Sequence, residues 1–372
     1  MKVGFISEFD VHDKRAWSGT INFLYIHLSE HYQMIPIVIK SGKLQRAIRK
    51  IVRKCTKGSR NYTGIDIAID RYHFAHKIHQ AVSNEGVSVF FAPASSNLIG
   101  VGIIPKECKL VYLSDATYHC MVGYYYDGGS VRNMKLHDMA ENNSLVRADA
   151  IIYSSQWAKE DAVGYYNIKP EKIHVLPFGA NLEDRYIRSD NLNEKTTIHM
   201  LLVGVDWKRK GIDLAINCVE KLNNRGSKWQ FQLTIVGFNK PENFEKKHIE
   251  FAGHLNKNNR EECERMITYY LNNEIFILPT KAECSAIVFS EAAMYGLPVF
   301  THDTGGTMTY VEDGVTGRGL QLGSTADDFA DAILDMLNHG NLQQWSDQAR
   351  QKYEKELNWN VWLTECIKLL EE

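Results

Sequence analysis

The sequence predicts an α/β protein made of two doubly wound parallel sheets in tandem. Three observations carry this reading. Short apolar runs alternate with amphipathic segments along the chain, which is the pattern of repeated βαβ units. Runs such as VSVFFA are nearly continuous in apolar residues, as suits strands covered on both faces. The alternation stops in a polar stretch, GANLEDRYIRSDNLNEKTT, and restarts near residue 198.

In the first half the expected strands are 3–7, 35–39, 87–91, 110–113, 150–153 and 174–176, and the expected helices are 20–31, 44–54, 72–83 and 155–165. In the second half strands are expected at 199–205, 231–237, 274–278 and 298–301, with helices at 212–224, 260–271, 285–295 and 327–338. A last helix is expected over 359–370, where Val361, Leu363, Ile367 and Leu370 recur at helical spacing. The polar stretch, about 180–196, reads as a linker. The expected domains are therefore 1–180, 197–355 and a terminal helix, 356–372, returning towards the first domain. Two such domains are expected to face each other across a ligand cleft at their strand C-terminal edges.

Composition supports a folded, soluble chain. There are 372 residues, 44% apolar and 24% charged, close to the globular average and long enough for two or three domains. Charge is balanced at 43 basic against 45 acidic residues, but residues 40–60 hold nine Lys or Arg and no acid. Such a segment predicts an anionic surface or ligand. Seven scattered cysteines form no C-x-x-C pair, which predicts free thiols in a reducing cytoplasm. The start, MKVGFISEFDVHD, meets acids before any long apolar stretch, so no secretory leader is expected. No apolar run nears the ~18 residues of a membrane span.

The densest chemical signal is PTKAECSAIVFSEAAMYGLPVFTHDTGG, residues 279–306. Ser285 is expected to cap the following helix and leave the amides of Ala286, Ile287 and Val288 for an anion or sugar hydroxyls. Glu283 precedes that helix and Glu291 lies eight residues on, about two turns, so two carboxylates can bracket a polyhydroxylated ligand. An ordinary strand–loop–helix with two solvated glutamates is the bland alternative. Several signatures are missing from the sequence: G-x-G-x-x-G after the first strand, the P-loop, any Asp-x-Asp and H-E-x-x-H. Their absence argues against dehydrogenase, P-loop and metalloprotease chemistry, and no metal is expected.

These residues resemble glycosyltransferase family 4, the retaining enzymes of the GT-B fold. The family shows E-x7-E in this context, followed by G-L-P-V and D-x-G-G. Here these are Glu283 and Glu291, then Gly296-Leu297-Pro298-Val299 and Asp303-Thr304-Gly305-Gly306. The stretch 154–183 is similar to the family's approach to its interdomain linker, and Glu312–Gly317 loosely matches its closing turn. The resemblance covers most of 150–320 and is weak over 1–110. The family opens its second domain with an Arg and a Lys that hold the donor diphosphate. Lys210 matches that Lys, Val205 stands in place of the Arg, and Arg209 is the expected substitute. Ala286 stands where the family often has Gly.

The resemblance implies a GT-B fold of two Rossmann-like domains and sugar transfer from a nucleotide-diphosphate sugar, UDP-linked first and GDP-linked second. The acceptor would be a glycan or lipid-linked glycan, bound by the N-terminal domain. Glu291 would bind the ribose hydroxyls. Lys210, Arg209 and the amides after Ser285 would neutralise the diphosphate, and Glu283 would orient the donor sugar. In the first domain, the turn Trp17-Ser18-Gly19-Thr20 is either a phosphate-facing turn at Gly19 or a simple helix cap. Asp115 is the expected residue facing the reacting sugar, with His119 second, and either is alternatively a turn residue. Tyr124 is an acceptor-site candidate or plain packing. No cofactor beyond the co-substrate is expected, and nucleic acid is not an expected partner. The expected location is the cytoplasm, with a peripheral contact at the inner face of the membrane through residues 40–60. Two rivals stand beside this reading: a nucleotide-sugar epimerase of the same architecture, and a non-catalytic protein binding membrane or nucleic acid through its basic segment.

Overall fold

A computed structural model describes residues 1–38, 64–126, 130–187 and 190–372. The basic stretch 40–60, including the helix expected at 44–54, lies outside the described residues. The chain divides into two compact units. The first is Met1–Leu176 together with Leu363–Glu372, and the second is Pro177–Trp362.

Unit 1 holds a six-stranded sheet: β1 (Lys2–Ser7), β2 (Gln33–Val38), β3 (Val89–Pro93), β4 (Lys109–Ser114), β5 (Ala150–Tyr153) and β6 (Ile173–Val175). Every pairing is parallel, in the order β2-β1-β3-β4-β5-β6. Helices α1 (Thr20–Ser29), α2 (Gly64–Ser83), α3 (Val131–Arg147) and α4 (Gln156–Gly164) connect the strands. All five residues of β3 are buried, as strands with both faces covered require.

Unit 2 repeats the plan with β7 (Thr197–Val203), β8 (Gln230–Val236), β9 (Ile249–Gly253), β10 (Ile275–Leu278), β11 (Val299–Asp303) and β12 (Gly317–Gln321). Again the pairings are parallel, in the order β12-β11-β10-β7-β8-β9. Its longer helices are α5 (Ile212–Asn224), α6 (Arg260–Leu271), α7 (Ile287–Met294), α8 (Ala326–Asn338) and α9 (Leu342–Lys355). The last helix, α10 (Trp359–Glu371), runs from unit 2 into unit 1.

Four of these elements were not expected from the sequence, for physical reasons. The inward face of α3 carries Glu141, Ser144 and Leu145, so it has no apolar stripe. Ser144 instead donates its hydroxyl to the Ser96 carbonyl at 2.8 Å. Strand β12 reads GRGLQ and looks like a loop, yet a Cβ at Gly317 would stand 2.0 Å from the Val299 carbonyl oxygen. Strand β9 is an edge strand with only Ile249 buried. Helix α9 is mostly polar and shows only a narrow buried row of Leu342, Trp345, Ser346 and Ala349.

Candidate functional site

Each sheet reverses its strand order once. In an open parallel sheet the loops diverge at that point and leave a crevice at the strand C-terminal ends. In unit 2 the reversal lies between β7 and β10, and the residues singled out in the sequence gather there.

The loop after β7 is a tight turn. The Asp206 carbonyl accepts the Lys210 N–H at 2.9 Å and its carboxylate accepts the Arg209 N–H at 3.0 Å. Gly211 closes the turn at φ 70°, and a Cβ there would lie 2.2 Å from the Pro279 carbonyl oxygen. Glycine alone combines this left-handed conformation with so close an approach. The two loops are then stitched together: the Lys281 N–H donates to the Arg209 carbonyl at 2.7 Å, and Arg209 Nη1 donates to the Ala282 carbonyl at 3.0 Å. This arrangement turns Lys210 onto Glu283, and the two form a buried ion pair. Arg209 Nη1 lies 3.7 Å from the same carboxylate. The Glu283 carbonyl accepts the Gly306 N–H at 2.9 Å, which ties in the D-x-G-G loop after β11. Two cations therefore share one buried carboxylate, and a buried charge of this kind needs such partners.

Glu291 sits on the inner face of α7 and is 0% exposed. One carboxylate oxygen is paired with Lys257, and the other accepts the Tyr270 hydroxyl at 2.9 Å. Burial, reinforced by the charge of Glu291, holds the Tyr270 hydroxyl well above the ordinary phenol pKa, so it stays a donor. The structure thus gives the two carboxylates separate partners: Glu283 has Lys210 and Arg209, while Glu291 has Lys257 and Tyr270.

The expected cap at Ser285 is corrected. Helix α7 begins at Ile287 with Ala286 as its N-cap, and no side chain caps it. The Ile287 N–H is taken by the Ser285 carbonyl at 3.1 Å, and the Phe289 N–H by the Ala286 carbonyl at 2.7 Å. A tight turn has used the first amide, leaving those of Ala286 and Val288 as the first-turn donors outside these bonds.

In unit 1 the reversal lies between β1 and β3. On the loop after β1, Trp17 (φ 49°), Ser18 (φ 58°) and Gly19 (φ 94°) are all left-handed, and on the loop after β3 so is Ala94 (φ 46°). Strained backbone of this kind gathers at functional sites. Gly19 is the N-cap of α1, so the WSGT turn does open a helix. Asp115, on the loop after β4, accepts the Trp17 indole N–H at 3.2 Å. His119 Nδ1 lies 2.7 Å from Asp161, whose carboxylate also accepts the Thr117 hydroxyl, and the imidazole stacks on Tyr165. Tyr124 packs with Trp157, ring centroids 5.1 Å apart. The structure therefore brings Asp115 to the strand edge beside the strained turn, whereas His119 is held against α4.

Sequence reasoning missed Lys257, Tyr270 and Asp161. Lys257 sits in a polar loop with no periodic signal. Tyr270 and Asp161 lie on helices that were expected, but partners so distant in sequence leave no local mark.

Two family profiles match this chain in succession. The one described as Glycosyltransferase Family 4 covers residues 46–184, and the one described as Glycosyl transferases group 1 covers 183–352. The chain belongs to glycosyltransferase family 4. The group 1 profile takes in Lys210, Glu283 and Glu291, and the family 4 profile takes in Asp115, His119 and Tyr124. Among curated relatives, an uncharacterized 41.2 kDa protein in the cps region of Klebsiella pneumoniae is 24% identical over 252 residues, 65% of this chain and 64% of that protein. D-inositol 3-phosphate glycosyltransferase of Nocardia farcinica is 26% identical over 215 residues, 54% of this chain and 47% of its own. The matches thus span less than two thirds of either relative's length. Sucrose-phosphate synthase from Thermosynechococcus elongatus superposes with a TM-score of 0.71 at 15% identity, over 99% of this chain and 98% of that one. This likeness shows that the family 4 chain has the GT-B fold. Among the described residues no helix is long and apolar enough to cross a membrane.

Proposed function

We propose that this family 4 protein transfers a sugar, with retention, from a nucleotide-diphosphate sugar to a glycan or lipid-linked glycan. UDP-sugar is the favoured donor and GDP-sugar the second. The observation that carries the reading is the pairing of Lys210 and Arg209 on the buried Glu283 at the strand reversal of unit 2. A diphosphate brought to this point meets two cations, Lys210 paired with Glu283 and Arg209 lying between Glu283 and Asp206. Charge-assisted contacts of this type are the strong ones. They act most where charge grows on the leaving diphosphate, so they lower the barrier and not only the binding energy. Glu291 would take the ribose hydroxyls and Glu283 would orient the donor sugar. Asp115 would face the reacting sugar, with the acceptor bound on unit 1 near Tyr124 and His119. In this scheme the two side-chain cations carry the diphosphate charge, and no metal is required. We also place the protein in the cytoplasm, with residues 40–60 as its contact to an anionic membrane.

Sugar transfer is named for the Nocardia relative, and that name supports the same class here. An epimerase of the same architecture would act without an acceptor. Screening nucleotide sugars for thermal stabilisation identifies the donor, because a ligand of the native state raises its apparent stability. Turnover of that donor is then followed with and without acceptor glycans, and in excess chelator. Acceptor-dependent release of nucleotide that survives chelator is expected. Isomerisation of the sugar without acceptor would replace the transferase reading with the epimerase one, and failure to bind any nucleotide sugar would remove both.

A further inference from the structure

Glu291 poses a problem of access. Its carboxylate is 0% exposed, so a diol can reach it only if one of its present partners moves. Tyr270 is not that partner. It is fully buried and stacks with both Phe276 and Tyr295, ring centroids 6.1 Å and 5.5 Å away and interplanar angles 4° and 19°. Lys257 is different. Its side chain is 19% exposed, and it stands on the loop between β9 and α6.

That loop is braced without Lys257. The Asn256 N–H donates to Glu262 at 2.6 Å, the Asn258 N–H to the Asn256 side chain at 3.0 Å, and the Asn259 N–H to the Asn256 carbonyl at 2.8 Å. Asn259 in turn caps α6 through the amides of Glu261 and Glu262. The backbone is therefore held by bonds that a swing of the Lys257 side chain leaves intact. A flexible four-carbon stem carrying a solvated point charge suits this movement.

We infer that Lys257 is a latch on Glu291: its ammonium occupies the carboxylate in the free protein and is displaced by the vicinal diol of an incoming ribose. The inference rests on the donor reading above and adds a residue that regulates it. The latch keeps a buried carboxylate paired when no ligand is present, as a buried charge requires. It also makes binding of the nucleoside end a competition between two hydroxyls and one ammonium.

Competition with an ion pair has a signature that a direct ligand contact lacks. Once displaced, the Lys257 ammonium stands in water, where salt screens its charge and favours the open arrangement far more than it affects the buried pair, so added salt weakens the competitor. Uridine and guanosine carry no phosphate, and their affinity is free of phosphate electrostatics. The test measures binding of both nucleosides, and of UDP and GDP, to wild type, Lys257→Met and Lys257→Arg at pH 8 and several salt concentrations. Methionine keeps most of the stem and removes the charge. The preferred nucleoside is expected to bind wild type more tightly as salt rises. It is expected to bind Lys257→Met at least about threefold more tightly at low salt, where tenfold corresponds to about 1.4 kcal/mol, and with little salt dependence. Lys257→Arg should behave like wild type. Equal or weaker nucleoside binding by folded Lys257→Met overturns the latch and makes Lys257 a bystander or a ligand contact. If wild type binds UDP or GDP, that failure leaves the donor reading standing. If wild type binds neither nucleotide, both fall. A misfolded Lys257→Met shifts the decision to the wild-type salt series, where affinity that is flat or falls with salt overturns the latch.

Discussion

Glu141 offers a quantitative test of the packing of unit 1. Helix α3 turns this residue into the core, where it is 3% exposed. Among the described residues no cation pairs with it, and the Tyr112 hydroxyl at 3.2 Å is its near partner. Burial pushes its carboxyl from the ordinary 4.5 up to about 7, and hydrogen bonds from Ser96 and Tyr112 offset only part of that. In the unfolded chain the group ionises near 4.5, while in the folded chain it keeps its proton until about 7. Between these values the folded state binds one more proton, so stability falls as pH rises through the window. A shift of this size corresponds to roughly 3 kcal/mol, absent below the lower value and fully present above the upper one. Glu141→Gln keeps the shape and removes the ionisation. Denaturant unfolding at pH 5 and pH 8 should show wild type losing roughly 3 kcal/mol relative to the variant in the transition that reports on unit 1. Parallel pH profiles for the two proteins would refute the reasoning, because they would mean that Glu141 titrates alike in both states.

Other expectations concern the donor site and the membrane. Glu291→Ala removes a carboxylate proposed to take two hydroxyls, and a charged hydrogen bond contributes about 1.5–3 kcal/mol, so nucleotide affinity should drop at least about tenfold; unchanged affinity of the folded variant in a calorimetric titration would take Glu291 out of the site. Lys210→Ala should cost more in turnover than in binding, since charge grows on the diphosphate in the transition state; a loss confined to KM would contradict this. Each Lys or Arg of residues 40–60 near an anionic bilayer is worth about 1 kcal/mol, so the protein should float with anionic liposomes at low salt. Glu substitutions at Arg46, Arg49, Lys50 and Arg53 should abolish flotation, and absence of flotation in wild type would redirect the acceptor towards a soluble glycan.

Much of this fold could be read from the sequence because buried parallel strands announce themselves. AIIY, IFIL and VFFAP need no tertiary context to be recognised. The elements that escaped derive their stability from contacts far away in sequence. Gly317 and Gly319 make β12 possible by closeness to Val299 and Met308, and Ser144 anchors α3 through the Ser96 backbone. At the site, the meeting of Lys210 with Glu283 follows from the expected strand ends. The partners of Glu291 do not, because Lys257 and Tyr270 approach it from a loop and a helix whose own patterns point only to solvent and to core. Ser285 had the right chemistry for a cap, but the turn placed the helix start beyond it.

The membership of Leu363–Glu372 in unit 1 has a consequence for biosynthesis. That segment contributes the fully buried Cys366, and Glu371 accepts the Tyr32 hydroxyl at 2.9 Å. When the ribosome has made Leu176, the first unit still lacks its closing piece. At roughly 5–20 residues per second, synthesis of Pro177–Trp362 takes about 10–40 s more. Throughout that interval the surface that will receive Cys366 and Leu370 is open to water and to other chains, while unit 2 is contiguous and is completed first. The half that is begun first is thus the half whose chain is completed last, and a chain truncated before Leu363 would keep every residue of unit 2 while lacking the closing piece of unit 1.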